Sequence, residues 1–129
     1  MSPSHAIESF IDLECFVELN GSADLIESVA PLFASQAVSW LPDFESAIAQ
    51  DDPAPVLHLL HQMAGCCAAI CALPLARGLR DAERAVLSQG LNPHRANLQQ
   101  LCKDVRQLND AMVAYPAAKA AKAANSAVP

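Results

Sequence analysis

The chain has 129 residues, rich in apolar residues but poor in aromatics, which suits a single domain and favours helix over strand. A net charge of −6 argues against a general nucleic-acid binder. No apolar run is long enough to span a bilayer, so membrane insertion is not expected, and the absence of a basic and apolar leader makes the cytoplasm the expected location.

Residues 6–20 carry Ile7, Phe10, Ile11, Leu13, Phe16 and Val17 at helical spacing, with a stop at Asn20-Gly21. Ser22 is then read as a cap, with Asp24 in the first turn that follows. Residues 23–49 keep a spacing of three and four through Leu25, Val29, Phe33, Trp40, Phe44 and Ile48. Pro31 and Pro42 fall inside that run, so the pattern predicts one bent helix or two helices broken near a proline. The aromatic residues Phe33, Trp40 and Phe44 read as core packing.

Asp51-Asp52-Pro53 is a strong helix start, an acidic cap followed by proline. The helix it opens is predicted to end by Leu73-Pro74. Its two faces are unlike. Val56, Leu59, Leu60, Met63, Cys66, Cys67 and Ile70 form an ordinary core stripe. Ala54, Leu57, His61, Ala64, Gly65, Ala68 and Ala72 form a smooth, uncharged face around one imidazole. A solvated face normally carries Lys, Glu or Gln, so this one is read as a surface that another molecule approaches. Pro74 opens a further helix to Gly90, and Asn92-Pro93 a last one, predicted to end at Tyr115-Pro116. Residues 117–129 are low in complexity and read as a flexible Ala/Lys tail.

Short connections between long amphipathic helices imply antiparallel neighbours. The expected fold is all-α, an antiparallel up-down four-helix bundle over residues 6–116 with a short additional N-terminal helix. Charge is unevenly spread along it. Ten carboxylates and no Lys or Arg precede Arg77, whereas all eight Lys and Arg lie from Arg77 onward, which predicts acidic early helices packed beside basic late ones.

The five cysteines, Cys15, Cys66, Cys67, Cys71 and Cys102, read as small apolar core residues of a reducing compartment. Cys67, Cys71 and a histidine are the one combination that suggests a metal site, but no CxxC pair supports it and no metal is expected.

The run His61-Gln62-Met63-Ala64-Gly65-Cys66-Cys67-Ala68-Ala69-Ile70-Cys71-Ala72, followed by Leu75-Ala76 and Glu83, resembles the histidine-containing phosphotransfer domain of bacterial two-component phosphorelays. The family pattern, roughly H-x-x-K-G-[SA]-[SA]-x-x-[LIF]-G-A-x-x-L-A with a later Glu, maps without a gap, and the likeness extends over about residues 8–114. His61 matches the phosphorylated histidine and Gly65 the glycine one turn later. Ala64 stands where the family usually has lysine, and Cys71 where glycine is common.

The resemblance implies a carrier rather than a kinase: a histidine that accepts a phosphoryl group from a receiver-domain aspartate and passes it to another receiver. A hybrid sensor kinase and response-regulator receivers are the implied partners. No cofactor of its own is implied, since Mg²⁺ belongs to the receiver, and the chain has no phosphate-cradling glycine loop. Candidate docking residues are Leu57, His58, Gln62, Ala64, Gly65 and Ala68 around the ring. Arg77, Arg80 and Arg84 recur at spacings of three and four on the next helix and read as a solvated stripe pairing with the acidic early helices or as a positive flank for an acidic receiver. Arg77 and Arg80 are added to the docking candidates. The alternative is a binding module of the same fold that docks a receiver or kinase without carrying phosphate.

Overall fold

The computed structural model describes residues 7–127, with side chains described as far as residue 116. A 3-10 turn at Ile7–Ser9 precedes α1 (Leu13–Asn20), α2 (Leu25–Ala49), α3 (Pro53–Ala69) and α4 (Leu73–Gln89). A second 3-10 turn at Asn92–His94 leads into α5 (Arg95–Ala127). α2 packs on α3 and α5, and α4 packs on the same two helices. Each helix of this ring is thus flanked by its neighbours in the chain, and α2–α5 closes the circle: the up-down arrangement that short loops require.

Local chemistry sets the helix limits. The expected single helix over residues 6–20 is divided, because Asp12 takes an extended backbone and caps α1, its Oδ1 accepting from the Cys15 N–H at 3.0 Å. Gly21, at φ 93°, ends α1 with its N–H on the Val17 carbonyl. Ser22 caps only a turn, accepting from the Asp24 N–H, and α2 begins at Leu25. α2 is a single helix with both prolines inside it. Each proline brings no N–H to the helix ladder. Both lie on the water-facing side of the helix, where the loss is small.

α2 and α3 end alike. Asp51 (φ 54°) and Cys71 (φ 61°) take the left-handed position. The next N–H reaches back to the helix, Asp52 to the Ala47 carbonyl and Ala72 to the Cys67 carbonyl, as in a Schellman ending. Asp tolerates this conformation better than most residues. A cysteine there costs about 1–2 kcal/mol, so replacing the family's glycine at position 71 is a larger departure than the similar side-chain size suggests.

Position 71 is held by more than its backbone. Cys71 is joined to Cys15 in a disulfide, with Cα atoms 6.1 Å apart, and its carbonyl accepts from the Asp12 N–H at 3.0 Å. The expectation of five reduced core cysteines is therefore corrected. Only Cys66, Cys67 and Cys102 are free, and cysteine usage no longer argues for a reducing compartment. The bond ties α1 to the corner between α3 and α4 across 56 residues. Cross-linking a loop of that length stabilises by about 2–4 kcal/mol, chiefly through the unfolded chain. Cys15→Ser should lower the unfolding free energy by that amount in urea titrations without reductant, and the difference should vanish in dithiothreitol. Cys71→Gly should lose about 1 kcal/mol less than Cys71→Ser, because glycine relieves the left-handed backbone.

The core draws on all four long helices. Phe16, Phe44, Leu60, Met63, Leu79, Leu98, Leu108 and Met112 are fully buried, and Phe33 meets Trp40 edge-on with centroids 5.7 Å apart. The acidic and basic halves meet as expected between α2 and α5. Arg106 donates to Glu45 at 2.7 Å, which holds the Glu45 carboxyl below its usual range. Arg95 pairs with Asp51 and donates to the Ile48 carbonyl at 2.6 Å, placing a cation at the negative end of α2.

Two expectations at the last helix are corrected. Asn92-Pro93 opens the 3-10 turn, and α5 itself starts at Arg95. The backbone also stays helical past Tyr115-Pro116 to Ala127. One proline is outweighed there by an alanine-rich run of the highest helix propensity.

Candidate functional site

α3 starts after Asp52 with Pro53 in its first turn, as expected, but the Asp52 side chain makes no capping hydrogen bond. Val56, Leu59, Leu60, Met63, Ala64 and Cys67 are buried, while His58, His61, Gln62, Gly65 and Ala69 face outward. The His61 side chain is 79% exposed, and its Nδ1 lies 3.3 Å from Oε2 of Glu83 on α4. The Glu83 side chain is 28% exposed. A carboxylate can only accept, so the contact favours a proton on Nδ1 and leaves the Nε2 lone pair free. Such an accessible imidazole nitrogen can act as a nucleophile.

The ring stands at an open depression of about 400 Å³ lined by His61, Ala64, Gly65, Arg80, Glu83 and Arg84. Four residues singled out in the sequence, His61, Ala64, Gly65 and Arg80, are thus brought together. Gln62 is exposed beside them, and Leu57 and Ala68 are half-buried against the core. His58 lies elsewhere, in a groove with Asp43, Ser46, Gln50 and Pro55. Arg77 is exposed but does not line the depression. Glu83 and Arg84 were not among the candidate docking residues. The family pattern marked Glu83, and the three-and-four spacing with Arg77 and Arg80 marked Arg84.

Ala64 needs correction. A helical wheel sets it on the smooth open face, yet it is 2% exposed. α4 approaches α3 closely through Ala76, Leu79 and Ala82, so an alanine Cβ is covered where the longer imidazole emerges. Part of the smooth face is therefore packing. Gly65 belongs to the other part. A Cβ built on it meets nothing within 4 Å, so the fold does not require glycine there, and the open space lies on the solvent side beside the ring.

The cysteines do not add a second chemistry. Cys71, one of the suggested metal ligands, is bonded to Cys15. Burial pushes the Cys67 thiol up to about 12. Burial and then the hydrogen bond to Glu45 push Cys102 up to about 11. Both stay protonated at neutral pH, so neither supplies a thiolate. Among the described residues no group of three or more His, Cys, Asp or Glu could hold a metal ion, and no helix is long and apolar enough to cross a membrane.

The family model described as Hpt domain covers residues 20–114. No curated protein and no solved structure matches the chain.

Proposed function

This chain belongs to the Hpt domain family, whose members are phosphotransfer carriers rather than kinases, and we propose that His61 is its phosphoacceptor. In this reading Nε2 attacks the phosphorus of an aspartyl phosphate on a receiver domain. The N–P bond forms as the P–O bond to the aspartate breaks, and the aspartate leaves as a carboxylate with the bonding pair. The proton on Nδ1 stays between the ring and Glu83, so no base has to remove it. The reverse step at a second receiver returns the ring to its starting state. Positioning and charge stabilisation dominate such transfers, which suits a carrier that offers one held imidazole and little else.

The observation that supports the proposal is the exposed His61 ring, its Nδ1 3.3 Å from Glu83 and its flank left open by Gly65. Mg²⁺ belongs to the receiver in this scheme, and the carrier holds no cofactor. The partners proposed are response-regulator receivers and a hybrid sensor kinase, with no nucleic acid, and the relay works in the cytoplasm, where such receivers act. Leu57, Gln62, Gly65, Ala68, Arg77 and Arg80 form the docking rim. The test is incubation with a phosphorylated receiver domain and Mg²⁺. Acid-labile, alkali-stable label on this chain is expected. A stable complex with no label would instead favour the pure docking module.

A further inference from the structure

The depression beside His61 raises a charge problem that α3 does not solve. A phosphoryl group on Nε2 carries about two negative charges, and the Glu83 carboxylate already sits on the other side of the ring. Around the ring α3 offers Leu57, Gln62, Ala64, Gly65 and Ala68, none of them charged. The cations that line the depression come from α4, and they are Arg80 and Arg84. They are not equivalent. Arg84 donates to Asp81 at 2.5 Å on its own helix, so its charge is already engaged. Arg80 makes no hydrogen bond or ion pair to any described residue. It lies one turn before Glu83 and so shares that residue's face of α4.

We propose that Arg80 is the phosphoryl-binding residue of this carrier, a role that rests on the assignment of His61 as phosphoacceptor. The guanidinium donates to the phosphoryl oxygens once the N–P bond has formed. A planar guanidinium suits two such oxygens better than an ammonium does. Its freedom in the unphosphorylated protein is what the role requires, since a cation already paired would have to break that contact first. Arg80 therefore favours the phosphorylated state of His61, whatever molecule delivered the group.

That last point separates phosphoryl binding from receiver docking. Phosphoramidate, a small phosphodonor, needs no docking surface, so the wild-type protein and its variants are labelled both with it and with a phosphorylated receiver. Arg80→Gln should lower the labelled fraction at equilibrium about fivefold with both donors, the size of an exposed ion pair. It should also shift the pH titration of the phosphohistidine ³¹P resonance to higher pH, because a nearby cation favours the fully ionised phosphoryl group. Arg80→Lys should recover part of both effects, and Arg84→Gln should change them less than Arg80→Gln does. An effect seen only with the receiver would overturn the proposal, as would equal effects of Arg80→Gln and Arg84→Gln or an unmoved ³¹P titration. A wild-type protein that neither donor labels would bring down the assignment of His61, and this inference with it.

Discussion

His61→Gln is expected to abolish acid-labile phosphorylation and to leave the bundle as stable as before. Both halves follow from the position of the ring. The side chain is 79% exposed and pairs with Glu83, so the core does not depend on it. Surface substitutions of this kind stay within about 0.5 kcal/mol. Glutamine keeps a polar side chain of similar reach but has no nucleophilic nitrogen, because its amide lone pair is delocalised. The check pairs a labelling time course with thermal unfolding of the same preparation. Label retained by the variant would place the phosphoacceptor elsewhere, whereas a large loss of stability would mean that the ring supports the fold.

Gly65 gives the second large effect, and there stability and transfer move in opposite directions. The position is inside a helix and its Cβ site is empty. Gly65→Ala should therefore stabilise the protein by about 0.5–1 kcal/mol, the usual gain over glycine in a helix. Gly65→Trp starts from the same open Cβ site, and its indole fills the space through which a receiver would reach the ring. Reacting atoms displaced by about 1 Å can cost a factor of about 100, and an indole beside His61 displaces them further. Receiver-dependent transfer should fall by at least about 100-fold, while the circular dichroism spectrum remains helical and phosphoramidate still labels His61. Unimpaired transfer in Gly65→Trp would show that the receiver does not approach over this face.

Most of the bundle could be read from local signals. The stop at Asn20-Gly21, the start at Asp52-Pro53 and the three-and-four spacing of core residues each depend on a few neighbouring residues. His61 stood out because its helix face lacks the usual charges. The misjudged features depend on distant parts of the chain. Ala64 looks open on an isolated helix and is covered only because α4 packs close. Cys15 and Cys71 meet only when α1 folds back onto the α3–α4 corner, and no spacing rule links residues so far apart. Asp12 interrupts the first helical pattern by capping α1 and donating its own N–H to Cys71. At Pro116 two local rules conflict, and the alanine run prevails over the proline.

The Cys15–Cys71 bond also changes what a broken backbone means for this molecule. It closes residues 15–71 into a covalent ring that holds most of α1, all of α2 and α3, and His61 itself. A protease that nicks the chain inside the ring opens a circle without releasing either piece, so both halves stay linked to the helix that carries His61. A cut in α4 or α5 lies outside the ring and can shed everything beyond it. On a denaturing gel a nick within the ring should leave one band without reductant and two with it, whereas a cut in the later helices should give two bands either way.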